Sequence, residues 1–326
     1  MHLVVTQAQF WSFLLALALS LVLTPVFMRL GLRLGITDKP TASAEESVRR
    51  GRQRVNQKVT PRTGGIAIVI AFIVAVFFFD SLTVQLKGIL VGGGIVFIGM
   101  LLDDMFDIPA LLKLLIQSVA AVVVIAFGVR VTAFTNFFHG GFFPLGIGGI
   151  ILTYFWIVGI TNALNLIDGL DGLAGGVAAL ILLAMFFFAA LKGMATMGAI
   201  LVALLGAVLG FLVFNYNPAK IFLGDAGSEF LGFMIASLSV YGALKLPTTV
   251  MLVVSVFALG IPIAETVSSI FRRAARHQSP MVADNGHFHY LLLFRGWSQR
   301  RITTVYYLVT FALCSIGLAI ALLGAH

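Results

Sequence analysis

Three carboxylates fall within five residues at Asp103-Asp104-Met-Phe-Asp107, with Lys113 close behind. If this segment is helical, Asp103 and Asp107 share a face at i and i+4, while Asp104 points about 100° away. Like charges so close repel unless a cation lies between them. Magnesium with a diphosphate is the natural neutraliser, because this hard cation takes one or two carboxylates and completes its shell with water and phosphate oxygens. A solvated acidic loop tip would account for the same residues without chemistry.

Three further clusters carry ionisable or amide groups. In Asn162-Ala-Leu-Asn165-Leu-Ile-Asp168-Gly169-Leu170-Asp171-Gly172 a helical turn would aim Asp168 and Asp171 at one site, and the glycines let the backbone approach a ligand and offer amides to an anion. Asp-Gly pairs also make ordinary turns. In Asn215-Tyr-Asn-Pro-Ala-Lys220-Ile-Phe222-Leu-Gly224-Asp225-Ala-Gly227, Asp225 lies between glycines, and Phe222 suits either stacking on a base or anchoring at a membrane interface. Last, His287 and His289 are two apart and face the same way only in extended or irregular backbone. Neither thiolates nor an HExxH pattern accompanies them, so hydrogen bonding to phosphate is expected rather than zinc.

The elements that must position these clusters are membrane helices. Of 326 residues 60% are apolar and 10% charged, with a mean hydropathy of +1.06, whereas soluble domains carry about 25% charged residues. A water-soluble globule is excluded. Ten apolar runs, near 10–30, 64–80, 86–102, 110–129, 149–165, 173–191, 196–214, 228–244, 247–270 and 303–323, predict an all-α polytopic membrane protein of about ten transmembrane helices, a single domain over 1–326. Period-two alternation, the mark of a membrane barrel, is missing from them. The first run has no basic segment before it and reads as a retained span. Cys314 is the only cysteine, which rules out an intramolecular disulfide.

Charge gives the orientation. With 35–63 in the cytoplasm, all but Lys87, Arg130, Lys192 and Lys245 of the 21 Lys and Arg residues fall on that side, as do all but Asp80 of the 13 Asp and Glu. This is the positive-inside pattern, and it puts all four clusters on the cytoplasmic face with both termini outside. The net charge of +8 follows from topology and contact with membrane lipid, and gives nucleic acid binding no support.

In order along the chain, Lys58-Val-Thr-Pro-Arg62-Thr-Gly-Gly, the Asp103-Asp104 pair, the NxxDGxDG element, Gly224-Asp225-Ala-Gly-Ser228 and the His-x-His loop resemble the polyprenyl-phosphate N-acetylhexosamine-1-phosphate transferases. The resemblance covers nearly the whole chain. It implies transfer of a sugar 1-phosphate from a UDP-sugar to undecaprenyl phosphate in a bacterial inner membrane, with release of UMP at the cytoplasmic face. It also implies that Asp225 is the Mg²⁺ ligand, with Mn²⁺ as the alternative ion, that Asp103 and Asp104 flank the lipid phosphate, and that Asp168 is a further catalytic carboxylate. Asn165, Gly169, Leu170, Asp171, Asn215 and Phe222 match nucleotide-holding positions, with Phe222 stacking on uracil. Lys58 and Lys113 match phosphate contacts, and His287 and His289 contacts to the diphosphate or sugar. A homodimer is left open.

Within that family, the phospho-N-acetylmuramoyl-pentapeptide branch ends its loop in three successive histidines and Phe-Glu. Asp284-Asn-Gly-His287-Phe-His289-Tyr290 is instead similar to the Asp-x-x-His-x-His-His form of the N-acetylglucosamine-1-phosphate branch. Tyr290 replaces that branch's last histidine, which keeps a modified sugar such as an N-acetylated 6-deoxyhexose open. An intramembrane prenyltransferase would need a second DxxxD motif, but Asp168 and Asp171 are three apart. A lipid transporter without chemistry would be marked by inverted repeats and helices broken mid-span, and neither is visible.

Overall fold

Long apolar stretches in lipid must satisfy every backbone N–H and C=O internally, and the helix does so within one segment. The computed structural model describes residues 5–38, 59–79, 82–135, 141–245, 255–275 and 287–323. Helices run over Gln7–Leu34 (α1), Gly64–Phe79 (α2), Val84–Phe106 (α3), Ala110–Ala126 (α4), Ile147–Leu166 (α5), Leu173–Leu191 (α6), Ala195–Asn215 (α7), Gly224–Lys245 (α8), Gly260–Ala275 (α9), Phe288–Phe294 (α10) and Gln299–Leu323 (α11). Six of these, α1, α3, α5, α6, α7 and α11, are long and apolar enough to cross a membrane. The other expected spans differ in kind: α2 and α4 are shorter apolar helices, α8 carries Asp225 and Glu229 at its start, and α9 holds the buried Glu265. Part of the expected 247–270 span lies outside the described residues.

Local chemistry sets the helix ends. Thr6 caps α1: its hydroxyl accepts from Gln9 N–H (3.2 Å) while the Gln9 side chain accepts from Thr6 N–H (2.9 Å). Gly35 closes α1 in the left-handed conformation. The same Gln9 donates to the Ala195 carbonyl (3.0 Å), and the Ser20 hydroxyl donates to Ala207 C=O (2.6 Å), which pins α1 along α7. Gly206 permits that approach, since a Cβ there would meet Phe13 O at 2.5 Å.

Most of α6 and α7 is buried while α1 and α11 are largely peripheral, so the core is built around Phe72, Phe188, Phe211 and Phe233 from α2, α6, α7 and α8. Two small antiparallel pairs complete the described fold: Thr37–Asp38 (β1) with Thr60–Pro61 (β2), in register Thr37 to Pro61, and Ala133–Thr135 (β3) with Phe142–Pro144 (β4). The β2 arm is laced to the segment before α8. Phe222 N–H donates to Pro61 C=O (2.8 Å), and Gly64 and Gly65 N–H donate to Phe222 and Leu223 C=O (3.0 and 2.9 Å). This lacing delivers Arg62 to the start of α8.

Candidate active site

Two carboxylates at the end of α3, a lysine on the first turn of α4 and an aspartate at the start of α8 meet around Arg62. Asp104 accepts from the Asp225 and Ala226 amides (both 3.0 Å), so its carboxylate closes the positive end of α8. Arg62 bridges the helices, with Nε 3.5 Å from Asp104 and Nη2 3.2 Å from Asp225. Lys113 Nζ lies between Asp103 Oδ2 (2.5 Å) and Asp225 Oδ2 (2.7 Å). Burial alone would lower the Arg62 pKa, but Asp104, Asp225, Asp38 and Asp103 together raise it above its ordinary value, and the guanidinium stays charged. Gly224 is compressed beneath this group at φ 75°, where a Cβ would lie 2.4 Å from Arg62 O and 2.6 Å from Asp104 Oδ2.

The expected pairing of Asp103 with Asp107 is not what forms. The helix ends at Phe106, Asp107 becomes its cap at φ 49° and is exposed, and the adjacent Asp103 and Asp104 are the buried pair. Asp103 Oδ1 accepts from Ile108 N–H (2.9 Å), which turns the chain back toward α4 and Lys113.

The NxxDGxDG element begins on the last turn of α5, which ends at Leu166, and its aspartates lie in the turn that leads to α6, so the helical turn expected to carry Asp168 and Asp171 does not form. Asp168 is buried, as are Gly169 and Leu170. Asp171 Oδ2 accepts from Asn217 Nδ2 (3.0 Å) and Ala219 N–H (2.9 Å). Asn215 uses its amide in the same clamp, accepting from Gly172 N–H (3.1 Å) and donating to Ile221 C=O (2.9 Å). Tyr307 of α11 adds a hydroxyl bond to Gly172 C=O (2.5 Å). Asp171 and Asn215 therefore hold loops together, and the Phe222 ring, 2% exposed, offers a base no open face as it stands. Lys58 lies outside the described residues.

His287 and His289 form a second buried centre. His287 has extended backbone at the start of α10, and the two rings stack at 5.6 Å and 6°. Their Nδ1 atoms each lie 3.3 Å from a different oxygen of Glu265, which also accepts from the Tyr306 hydroxyl (2.7 Å) and Phe288 N–H (3.1 Å). Burial pushes the His289 imidazole below its ordinary pKa, though Glu265 opposes the shift. Sequence reasoning passed over Glu265 and Tyr306, and left Arg62 inside a motif without a role. The signal for Glu265 was an ionisable residue within an apolar run, which in lipid marks a paired or functional group.

A cation fits the first centre as a one- or two-carboxylate site. The donors are hard oxygens, and the Lys113 ammonium between Asp103 and Asp225 marks where positive charge is held. Among the described residues no set of three or more His, Cys, Asp or Glu is arranged to cage an ion unaided. Substrate phosphates would have to supply the remaining ligands.

A bundle of membrane helices that gathers its ionisable groups from α3, α4 and α8 at one end has the build of a membrane-embedded transferase. Residues 86–243 match the family model described as glycosyl transferase family 4. The chain is similar to a probable undecaprenyl-phosphate N-acetylglucosaminyl 1-phosphate transferase of Bacillus subtilis, at 36% identity over 92% of this chain and 81% of that protein. It is 33% identical to a decaprenyl-phosphate N-acetylglucosaminephosphotransferase of Mycolicibacterium smegmatis over 78% of this chain and 70% of the relative. A phospho-N-acetylmuramoyl-pentapeptide-transferase of a Geobacillus strain is 30% identical over 97% of this chain and 95% of its own length. The protein belongs to glycosyl transferase family 4, among the polyprenyl-phosphate sugar-1-phosphate transferases.

Proposed function

We propose that this chain transfers N-acetylglucosamine 1-phosphate from its UDP-sugar to undecaprenyl phosphate at the cytoplasmic face of a bacterial inner membrane. An oxygen of the lipid phosphate attacks the β-phosphorus of the UDP-sugar, the bond from that phosphorus to the bridging oxygen breaks, and UMP leaves. The observation that carries the reading is the convergence of Asp103, Asp104 and Asp225 with Lys113 and Arg62, because two anionic phosphates can meet only where cations offset their repulsion. The charge asymmetry of the connections supports the cytoplasmic side, and about ten crossings fit it.

Asp225 would hold Mg²⁺, which supplies charge neutralisation for the diphosphate and the departing UMP. Lys113 and Lys58 draw phosphate oxygens in. Of the acidic pair, Asp103 is the better base for the lipid phosphate: both Asp104 oxygens are engaged by backbone amides, whereas Asp103 Oδ2 accepts from a side chain, Lys113. A phosphate with second pKa near about 6 needs little deprotonation, so this role asks little of Asp103. Asp168 would be a further catalytic carboxylate, Asn165, Gly169 and Leu170 would line the nucleotide end, and His287 and His289 the diphosphate or sugar side. The loop Asp284-Asn-Gly-His287-Phe-His289-Tyr290 favours N-acetylglucosamine over the muramoyl-pentapeptide donor.

The experiment is turnover by the purified protein with a polyprenyl phosphate, Mg²⁺ and a panel of UDP-sugars, following UMP and lipid product. Turnover is expected with UDP-N-acetylglucosamine. Asp225→Asn should abolish it and blunt its Mg²⁺ dependence, while Asp80→Asn should leave it near wild type. No UMP from any UDP-sugar with folded protein, or equal activity in the two variants, would overturn the assignment.

A further inference from the structure

One helical turn deeper than the charged centre lies a layer of amides. Lys113 is followed by Gln117 on α4, Asp225 by Glu229 on α8, and α5 contributes Asn162 and Asn165. The layer has a direction. Asn162 Nδ2 donates to the Val158 carbonyl (2.8 Å) and to Gln117 Oε1 (2.6 Å), and Gln117 Nε2 donates to Glu229 Oε2 (2.7 Å) and, over a longer 3.3 Å, back to Asn162 Oδ1, so the two amides form a reciprocal pair whose outward donor faces Glu229. From the other side Asn165 Nδ2 donates to Glu229 Oε1 (3.0 Å), and Asn165 Oδ1 accepts from the Ser228 hydroxyl (3.1 Å). Both chains of donors run into Glu229, which is 1% exposed and, among the described residues, donates to no acceptor. In its ionised form Glu229 only accepts, and in that form it can end both chains where an amide of the same shape cannot.

The two chains are not equally firm. Gln117 cannot turn over without confronting Asn162 Nδ2, itself tied to a backbone carbonyl. Among the described residues Asn165 is held on its far side by Ser228, whose single hydroxyl proton lies within reach of both Asn165 Oδ1 and Gly224 C=O (3.1 Å each) and whose oxygen can accept as readily as donate. With an amide at position 229, one donor pair must collide, and the soft end is Asn165. We propose that Glu229 is a positioning residue that fixes which face of the Asn165 amide, donor or acceptor, meets the nucleotide. The inference rests on the transferase reading, in which Asn165 contacts that nucleotide. It predicts a nucleotide affinity that depends on the acceptor-only character of position 229 and not on its size.

The test uses full-length protein in detergent, with UMP binding by calorimetry and KM for UDP-N-acetylglucosamine measured on wild type, Glu229→Gln and the exchanged pair Gln117→Glu/Glu229→Gln. In the exchanged pair the carboxylate now on α4 becomes the terminus, giving up only the longer donation that Gln117 makes to Asn162 Oδ1 (3.3 Å). The amide now on α8 donates to it, and the carbonyl of that amide again accepts from Asn165. Glu229→Gln should weaken UMP binding and raise KM about tenfold with kcat changed by less than about threefold, and the exchange should recover most of the loss. A purely packing role would not be rescued this way. Glu229→Gln binding UMP as wild type does, or an exchanged pair no better than Glu229→Gln, would overturn the inference. Melting temperatures establish that each variant is folded, and the exchanged pair tests the idea even if Glu229→Gln is not. Wild-type turnover reports on the transferase reading alone, so the two failures are told apart.

Discussion

Lys113 stands where a divalent ion would compete with it, and replacing it by methionine should reveal that competition. At an effective dielectric of about 20, unit charges at the 2.7 Å of the Lys113–Asp225 pair attract by about 6 kcal/mol. The lysine side chain is 25% exposed, so screening and desolvation reduce the net value; breaking a largely buried pair costs about 3–5 kcal/mol. We take about 3 kcal/mol, a fall in melting temperature of roughly 4 °C for a chain of this size. Removing Lys113 also leaves three carboxylates facing Arg62 alone. Even at the dielectric of water, a unit charge about 5 Å from a divalent ion repels it by about 1.7 kcal/mol, a factor above ten in affinity. The assay is thermal unfolding in detergent across a Mg²⁺ titration. Lys113→Met should melt lower than wild type without Mg²⁺, recover more on its addition, and reach half-recovery at roughly tenfold lower Mg²⁺, while losing turnover. Equal melting without the ion, or an unchanged Mg²⁺ midpoint, would refute the reasoning.

Two other outcomes follow from the same geometry. Gly224→Ala forces a side chain into left-handed backbone and against Arg62 and Asp104, so it should cost about 1–3 kcal/mol and most of the turnover, read by melting temperature and UMP release. For His289 the folded pKa lies below the unfolded value, so the unfolded chain binds more protons in that window and stability falls as pH drops below about 6.5. Melting temperatures at neutral and mildly acid pH should therefore diverge less in His289→Gln than in wild type.

Much of this centre is legible in the order of residues because membrane helices keep ionisable side chains at their ends. Asp103, Asp104, Lys113 and Asp225 announce themselves as charges bordering apolar runs, and topology alone sends those borders to one face. Which residues pair is not local. Asp107 looked equivalent to Asp103 under a helical repeat, yet a left-handed cap one residue past Phe106 put it in solvent. Asp171 and Asn215 read as ligand groups, and the partners they have here, backbone groups of Gly172, Ala219 and Ile221 and the Asn217 side chain, are ones that no spacing rule supplies. Glu265 was hidden because its partners His287 and His289 come from beyond the helix that carries it.

The seam between α1 and α7 bears on how the protein is made. The hydroxyl of Ser20 and the carbonyl of Ala207 are 187 residues apart in the chain. At synthesis rates of about 5–20 residues per second, the first helix must wait roughly 10–40 s before its groove emerges. During that interval its Gln9, Ser12, Ser20 and Thr24 stripe, buried in the finished protein, faces lipid or the insertion machinery. A nascent chain stalled between the two would leave that stripe without its native cover and open to the wrong neighbour.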